Sequence, residues 1–402
     1  MLHYRWWLLA SWAAVMIAAC GSSGTTTDDP FRASNALGWT WSLPPNFPTP
    51  PVPADNQMSE AKFQLGRFLF YDKKLSGDGT FACVNCHLQN LAFTDGKKVS
   101  VGATGQSTPR NAPSIVNSAY HATYTWARPD LASLELQLDI VNQAAGPLFG
   151  ASPVEMGINS ANKATVLQRF QNDVNYPQRF QDAFPGEANP INFVNIIKAI
   201  AAFERGVLSG GSKFDLYQRG QATLTASEER GRILFSSEQA ECFHCHGSFN
   251  FNDQVNYQGI RFIDKLFHNT GLYNIGDTPA GLFPAPNRGV FEQTGVAKDM
   301  GAFRAPSLLN IEVTGPYMHD GTIATLEGVL DFYASGGRYI PPIDPVLGIC
   351  CAGDGRNNPF KDPLIPAINL GVQDKADIVA FLKTLTDTSL LTNPRYANPF
   401  VP

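Results

Sequence analysis

The feature that most constrains this chain is a pentapeptide, Cys-x-x-Cys-His, which occurs twice, at 83–87 and at 242–246. Two thiols one helical turn apart can both attach to the vinyl groups of one porphyrin, and the histidine that follows can bind its iron. A zinc site with this spacing would need four ligands around each metal. The duplicated motif therefore predicts two covalently bound haem c groups. The attachment residues would be Cys83, Cys86, Cys242 and Cys245, and the proximal iron ligands His87 and His246.

A second repeated segment, Gly-Arg-x-Leu-Phe, precedes each pentapeptide, at 66–70 and at 231–235. In both places it closes a stretch whose apolar residues recur at helical spacing, which predicts helices over 61–71 and 227–235. A helix that leads into Cys-x-x-Cys-His is how small cytochromes c begin, and its glycine permits close contact with another helix. The sequence thus predicts a mainly α fold with two cytochrome c-like domains, each with one covalent haem, plus long irregular loops.

Composition and charge agree with a loop-rich globular protein. Of the 402 residues 44% are hydrophobic and 16% are charged, which is enough apolar surface for packed cores. The 35 glycines and 29 prolines predict many turns, and the net charge of −5 excludes a protein that binds nucleic acid by neutralising phosphates. We place the N-terminal haem domain at 41–215 and the C-terminal haem domain at 216–402.

Further elements follow from periodicity and from the positions of proline. Helical spacing of apolar residues predicts helices over 192–208, 325–333 and 374–385. The proline-rich segments 24–58 and 340–372 predict surface loops without regular structure. No strand-rich region is expected, beyond short hairpins within 247–300.

The N-terminus carries the pattern of an export signal. An apolar run follows Arg5 and ends in small residues before Cys20, after which the chain is polar and flexible in composition. This pattern resembles a bacterial lipoprotein signal peptide over 1–19, with Cys20 as the acylated residue and a flexible tether over 20–40. An ordinary secretory signal with an incidental cysteine is the alternative. Both predict export, and the first places the protein on the periplasmic side, in contact with a membrane only through a lipid anchor.

The two haem irons are expected to differ in their sixth ligand. No histidine or methionine occurs within 88–118, which favours a first iron that is open and can bind hydrogen peroxide. Closure of that iron by His121 or by a distant methionine is the alternative. After the second motif, Met300 is the first choice to close the second iron and Met318 the second choice. Packing in the core would explain either methionine equally well.

Several short segments besides the haem motifs carry a family resemblance. The chain reads Arg-Asn-Ala-Pro-Ser at 110–114 and Gly-Pro-Tyr-Met-His-Asp-Gly at 315–321. With the two pentapeptides, these segments resemble the bacterial di-haem cytochrome c peroxidase/MauG superfamily, and 126–129, 241–247 and 267–273 are similar to its MbnH-like branch. The resemblance implies a peroxide-reacting N-terminal haem and a six-coordinate, electron-transfer C-terminal haem. It also implies a bis-Fe(IV)-type state that oxidises a tryptophan of a partner protein.

The resemblance also implies roles for individual residues. Gln137 and Glu155 match the family's distal amide and carboxylate, which would hold the leaving oxygen and relay a proton. Trp126 matches the tryptophan between the two haems, and Asn111 matches the asparagine that helps bind one structural calcium ion. The alternatives are a carboxylate at a helix start for Glu155 and a core side chain for Trp126.

Three departures from the family pattern affect these expectations. The loop histidine that blocks the resting iron of classical peroxidases is missing, which favours an iron that is always open. Gly301 stands where the family has an axial tyrosine or methionine, so that Met300, one place earlier, is expected to take that role. Leu309 replaces an arginine that would contact a haem propionate or the domain interface.

Three functions fit these observations. The favoured one is a haem-dependent peroxidase that uses hydrogen peroxide to oxidise an aromatic residue of an exported partner protein, such as a copper-associated MbnP-like protein. The alternative is a cytochrome c peroxidase that detoxifies peroxide with electrons from a small redox protein, and it would need the missing loop histidine. A pure electron carrier would need both irons closed, and the composition of 88–118 argues against it.

Overall fold

The structure of the protein, a computed structural model, describes residues 38–138, 154–342 and 352–401. The predicted signal peptide, Cys20 and the tether up to 37 lie outside these residues. Helices joined by long loops make up the described part. The α-helices are α1 Glu60–Tyr71, α2 Leu134–Leu138, α3 Lys163–Gln171, α4 Tyr176–Ala183, α5 Phe193–Gly206, α6 Lys213–Gln218, α7 Ala226–Phe235, α8 Phe243–His246, α9 Phe291–Thr294, α10 Leu326–Ala334, α11 Val372–Lys383 and α12 Thr388–Leu391. Short 3-10 turns span Lys73–Leu75, Cys83–Asn85, Gln89–Leu91, Ser118–Tyr120, Ile275–Asp277, Ala297–Asp299, Ile311–Val313 and Gly355–Asn357.

The first half is organised by the crossing of α1 and α5. Ser59 caps α1 by accepting a hydrogen bond from the Lys62 amide at 3.1 Å, and Asn192 caps α5 in the same way. Gly66 lies at the crossing, where an added Cβ would be 1.9 Å from the Ala199 carbonyl oxygen. Only glycine lets the two backbones approach this closely. Both helices lie where the spacing of apolar residues predicted them.

The second half repeats this arrangement with α7 and α11. Thr225 and Glu228 form a capping box at the start of α7. Gly231 lies where the two helices meet, and an added Cβ there would be 1.9 Å from the Asp377 carbonyl oxygen. The repeated Gly-Arg-x-Leu-Phe segment therefore corresponds to a repeated helix crossing, which confirms the prediction of two cytochrome c-like halves.

Three apolar cores fill the described part of the chain. The first surrounds α1 and α5 and includes Phe63, and the third surrounds α7 and α11 and includes Phe381. The second core lies on residues from both predicted domains, because it joins Trp126 and Ala127 to side chains such as Phe303. The chain around Trp126 is thus part of the contact between the halves.

The end of the chain returns to the first half. Leu390 and Tyr396 are buried in the first core, and the Tyr71 hydroxyl donates a hydrogen bond to the Tyr396 carbonyl oxygen at 2.8 Å. Gln89 donates to the Leu390 carbonyl oxygen at 2.8 Å. The predicted boundaries at 41–215 and 216–402 stay predictions, and the last described residues pack on the N-terminal side of that boundary.

One short sheet corrects the prediction that 340–372 lacks regular structure. Strand β1, Tyr339–Ile340, pairs antiparallel with β2, Gly353–Asp354, and a 3-10 turn follows β2. Within 247–300 no strand pair is found, and the chain there makes isolated bridges such as that between His268 and Phe303. Strands of two residues show no alternation of apolar and polar side chains, so their pairing could not be read from the sequence.

None of the described helices is both long enough and apolar enough to cross a membrane.

Candidate active site

The first haem motif forms a tight turn that leaves one ring nitrogen of its histidine free to bind a metal. Cys83 begins a 3-10 turn, and the His87 amide donates to the Cys83 carbonyl oxygen at 3.0 Å. The His87 Nδ1 lies 2.8 Å from the Phe93 carbonyl oxygen. A carbonyl only accepts hydrogen bonds, so Nδ1 carries the proton and Nε2 keeps its lone pair for a metal. Burial lowers the pKa of His87 and keeps the ring neutral.

The second haem motif has the same arrangement on α8. The His246 amide donates to the Cys242 carbonyl oxygen at 3.1 Å, and the His246 Nδ1 lies 2.9 Å from the Phe251 carbonyl oxygen. Burial lowers the pKa of His246 as well. In both halves a main-chain carbonyl five or six residues downstream fixes the tautomer that iron ligation requires.

The thiols of both motifs are available for attachment. Cys83, Cys86, Cys242 and Cys245 are all free of disulfides. Burial raises the pKa of Cys86 to about 11 and that of Cys242 to about 12, so the unattached thiols are neutral. Two free thiols and an imidazole with an open Nε2 on one turn fit a c-type haem at each motif.

A cavity beside the second motif provides the space that such a group needs. Its wall includes Cys242, Cys245 and His246 together with apolar side chains of α10 and α11. Three buried polar atoms of residues on this wall, Nε2 of His121, Nε of Arg304 and Nε2 of His319, have no hydrogen-bond partner. An apolar wall with a few unpaired polar groups is the lining that an amphiphilic porphyrin with carboxylate side chains would complete.

The structure places His121 at this cavity and Met318 on its wall. His121 was the alternative ligand for the first iron, but it lines the cavity of the second motif. Met318 also lines this cavity, whereas Met300 is only 3% exposed and lies in the second apolar core. The chain turns after Met300 because Gly301 adopts a φ of +73° and packs closely on Phe283. Met318 also packs against that core, and the choice of sixth ligand between the two methionines stays a prediction.

Trp126 lies at the junction of the two halves. Its side chain is 9% exposed, and its indole Nε1 donates to the Asn111 carbonyl oxygen at 2.8 Å. Its own carbonyl oxygen accepts from the Arg304 amide at 2.9 Å. The ring centroid is 6.5 Å from that of His319, which stacks on Phe303 at 3.6 Å. Trp126 thus contacts residues from both sides of the predicted domain boundary and lines the cavity of the second motif.

Asn111 connects the loop after the first motif to the second half. Its side-chain Nδ2 donates to the Lys97 carbonyl oxygen at 2.7 Å, and its amide donates to the His319 carbonyl oxygen at 2.9 Å. The side-chain oxygen is the atom with which Asn111 would bind a cation. The predicted calcium role of Asn111 stays a prediction.

Glu155 is held beside the first motif by its main chain. The Ala103 amide donates to the Glu155 carbonyl oxygen at 2.7 Å, and an added Cβ at Gly102 would be 2.0 Å from the Val154 carbonyl oxygen. Burial raises the pKa of the Glu155 carboxyl to about 7. Burial is the main cause of the raised pKa of the Cys83 and Cys86 thiols, and the charge of Glu155 raises it further, which places the carboxylate near both.

Gln137 is half-buried on α2, and its main-chain amide donates to the Ser133 carbonyl oxygen at 3.0 Å. The segment 139–153 that connects it to Glu155 lies outside the described residues. The predicted roles of the Gln137 side-chain amide and the Glu155 carboxylate stay predictions.

A second buried carboxyl near the first motif was not predicted. Glu204 lies on α5, is 6% exposed, and has a pKa raised to about 8 by burial. Its charge also raises the pKa of the Cys83 thiol. The neighbouring Arg205 forms an ion pair with Glu135 at 2.7 Å. The only signal in the sequence is that this acid follows the apolar face of a helix, which is too weak to assign a role.

A charged cluster near the second motif was also missed. His268 lies between two carboxylates, with Nε2 2.5 Å from Asp253 and Nδ1 2.5 Å from Asp362. Burial alone would lower the pKa of His268, but its bonds to Asp253, Cys245 and Asp362 raise it to about 11. The imidazole is therefore a cation beside the attachment residue Cys245. These residues are far apart in the sequence, so no local pattern could bring them together.

Comparison with known proteins identifies the family. A family model for the di-haem cytochrome c peroxidases matches residues 60–223. The cytochrome-c peroxidase IdrP1 of Denitromonas iodatirespirans is 34% identical over 89% of this chain and 91% of its own length. This chain belongs to the di-haem cytochrome c peroxidase/MauG family. As a member, it is a haem-dependent oxidoreductase with two c-type haems, and the two motifs described above are the attachment sequences such haems require.

Three further proteins refine the comparison. The methylamine utilization protein MauG of Methylorubrum extorquens is 29% identical over 97% of this chain and 96% of its own length. A solved structure of a MauG-like protein associated with microbial copper homeostasis is 54% identical, with a TM-score of 0.85 over 90% of this chain and 99% of that chain. The diheme peroxidase BthA of Burkholderia thailandensis shares the fold, with a TM-score of 0.62 and 20% identity over 84% of this chain and 88% of that chain.

Proposed function

We propose that this family member uses hydrogen peroxide to oxidise an aromatic side chain, a tryptophan, of an exported partner protein. The bound haems would supply the reaction with peroxide at the first motif and the storage of oxidising equivalents at the second. The side chains of this protein would position the reactants, move a proton and connect the two centres.

The observation that carries this proposal is the placement of Trp126. An indole is easily oxidised, and this one is fixed by main-chain groups of Asn111 and Arg304 from opposite sides of the predicted domain boundary. A fixed, oxidisable ring at this junction shortens the steps by which charge passes between the halves. That coupling is what a protein-modifying peroxidase requires, because peroxide and the partner protein need not meet at the same centre.

Glu155 supports the proposed chemistry of peroxide. A carboxyl with a pKa of about 7 is partly ionised at neutral pH and can both accept and return a proton. Its main chain is fixed to the loop at 102–103. We assign proton relay to Glu155 and the positioning of the leaving oxygen, by a hydrogen bond, to Gln137.

The two irons would differ in access. The stretch 88–118 contains no histidine or methionine, which supports an open first iron. Met318 lines the cavity of the second motif, which supports a thioether ligand that closes the second iron. We therefore propose Met318 as the sixth ligand in place of Met300.

Addition of peroxide to the resting protein tests the proposal. The ferric protein with both haems should show one high-spin and one low-spin haem, and peroxide without prior reduction should produce a long-lived near-infrared absorption band. Trp126→Phe should weaken that band at unchanged haem content, while Trp39→Phe, at a tryptophan packed on Phe63, should leave it intact. Two low-spin haems that ignore peroxide, or a Trp126→Phe variant with the wild-type band, would refute the proposal.

A plain cytochrome c peroxidase is the second candidate function. It is favoured by the 34% identity to the cytochrome-c peroxidase IdrP1. Such an enzyme would turn over peroxide with electrons from a small redox protein. The two functions separate on one measurement, since the second predicts rapid peroxide consumption with a reduced cytochrome or cupredoxin and no covalent change in any partner protein.

We further propose where the protein works and what it meets. The 54% identity to a MauG-like protein associated with microbial copper homeostasis supports a copper-associated, MbnP-like protein as the partner. Mass spectrometry of such a partner after incubation with peroxide would detect an oxidised tryptophan. The apolar run before Cys20 supports export to the periplasmic side with a lipid anchor at that cysteine. The amide oxygen of Asn111 supports one bound calcium ion near the junction.

A further inference from the structure

Arg304 is a buried cation that no carboxylate of the described residues neutralises. Its side chain is 4% exposed, and Nη1 donates to the Thr123 carbonyl oxygen at 3.2 Å. The Nε atom has no partner. Among the carboxylates, the charge of Asp253 raises the pKa of Arg304, but the Asp253 carboxylate is bonded to the His268 imidazole. In the part of the chain that the structure covers, Arg304 has no ion-pair partner.

A guanidinium in this position is costly unless an anion completes the site. Burial lowers the pKa of Arg304 to about 10, so the group is still positively charged at neutral pH. An unpaired buried charge loses its hydration without gaining attraction in return. Arginine also presents its donors as a planar fork that matches a carboxylate. The charge and its shape both point to a carboxylate ligand.

His121 supplies a second unpaired nitrogen in the same cavity. Its side chain is 4% exposed, and Nε2 has no partner. Burial and then the charge of Arg304 hold the pKa of His121 well below its ordinary value, which shows that the two side chains are neighbours. The imidazole is therefore neutral and can offer a hydrogen bond without adding charge.

We propose that Arg304 and His121 bind a propionate carboxylate of the haem attached to Cys242 and Cys245. Both line the cavity that also contains His246. The ligand is an anion because Arg304 is a cation, and it lies in this cavity because both residues line it. Leu309, which stands where the family resemblance expects an arginine, is a buried apolar residue and cannot provide the charge.

Redox titration of the holoprotein tests this proposal. Arg304→Gln should lower the reduction potential of the low-spin haem, because reduction adds an electron next to a charge that has been removed. The potential should also become dependent on pH, since the propionate would no longer be held ionised. Arg288→Gln, which removes the same charge from an exposed side chain, should leave the potential and its pH dependence unchanged. A wild-type potential and pH profile in Arg304→Gln would overturn the proposal.

A second variant keeps the test decisive if Arg304→Gln does not accumulate. His121→Phe removes a hydrogen bond without changing charge and should shift the propionate bending modes in the resonance Raman spectrum. Unchanged modes in His121→Phe would overturn the role of that residue, and unchanged modes in Arg304→Lys as well would overturn the site. These measurements do not involve a partner protein, so their failure would leave the proposed oxidation of a partner untouched.

Discussion

At the scale of single residues, main-chain carbonyls prepare both histidines for iron. The Nδ1 atoms of His87 and His246 each bond to the carbonyl of a phenylalanine a few residues downstream. The shared geometry explains why the pentapeptide is sufficient to predict the attachment residues. The two halves differ in what surrounds the motif: a half-buried carboxyl, Glu155, lies near the first motif, and a methionine lines the cavity of the second.

The Glu155→Gln substitution should lower the rate of reaction with hydrogen peroxide by about 100-fold. The ionised carboxylate accepts the proton, so the wild-type rate should rise as the pH increases through about 7, where Glu155 titrates. In Glu155→Gln this pH dependence should be absent. Stopped-flow measurement from about pH 5 to about pH 9 gives both the rate of reaction with peroxide and its pH dependence.

Glu327→Gln is the matched control for that change. Glu327 is exposed in the first turn of α10, and its loss should alter neither the rate nor the pH profile. A wild-type pH profile in Glu155→Gln would show that another group moves the proton. Glu204, a buried carboxyl whose pKa is also raised, would be the first candidate.

The roles of residues could be predicted where the residues that carry out the chemistry lie next to one another in the sequence. The thiols and histidines of the two motifs are of that kind. Glu204 could not be found, because its significance depends on burial beside Cys83, and His268 could not, because its two carboxylates come from distant segments. The choice between the two methionines cannot be made from the sequence for a similar reason, since it depends on the turn at Gly301 and on the side chains that pack around each methionine.

At the scale of elements, each half depends on one glycine at a helix crossing. Gly66→Ala and Gly231→Ala would each place a methyl group 1.9 Å from a carbonyl oxygen of the facing helix. We expect each substitution to lower the free energy of unfolding by about 2 kcal/mol, because the helices must separate to admit it. Denaturant unfolding of the holoprotein, followed by circular dichroism, measures the change.

Gly38→Ala provides the comparison, because an added Cβ at Gly38 would meet no atom within 4 Å. It should be neutral within experimental error. Equal stability of Gly66→Ala, Gly231→Ala and Gly38→Ala would show that the crossings are looser than the structure indicates.

The elements themselves were predictable where they are long. The helices at both crossings and at 325–333 show apolar residues at helical spacing, and the structure has them within a few residues of the predicted bounds. The pairing of β1 with β2 was not predictable, because two residues per strand carry no periodic signal and the register depends on contacts between separate segments.

At the scale of the whole molecule, the C-terminal segment forms hydrogen bonds with the stretch of chain that links the two halves. The Asp387 carboxylate accepts hydrogen bonds from the amides of Gly210 and Gly211, at 3.1 and 2.9 Å, and also caps α12. Residues after it pack on the first core. The segment between the predicted domains is therefore fixed by a side chain from the far end of the sequence.

Asp387→Ala should lower the free energy of unfolding by about 2 kcal/mol at neutral pH, since it leaves the amides of Gly210 and Gly211 without their acceptor. Burial alone would raise the pKa of Asp387, but hydrogen bonds from Ser389, Gly211 and Gly210 hold it below its ordinary value. A carboxyl with a lowered folded-state pKa stabilises the protein above its unfolded-state pKa, and this contribution is lost as the pH falls. The difference between wild type and variant should therefore shrink in acid.

Thermal unfolding of the two proteins from neutral to acidic pH gives the comparison, with Asp264→Ala, at an exposed aspartate, as the control. A constant difference across the pH range would mean that the carboxylate charge of Asp387 contributes nothing, and no difference at any pH would mean that the segment is not fastened there.

The way Trp126 is held determines which substitutions around it the protein can accept during evolution. The indole N–H bonds to the carbonyl of residue 111, and the carbonyl of Trp126 bonds to the amide of residue 304. Neither bond uses a side chain other than the indole, so substitutions at positions 111 and 304 would leave the ring in place. The residues on either side are thus free to diverge, for instance to suit a different cation or cofactor, while the indole keeps its place at the junction of the two halves.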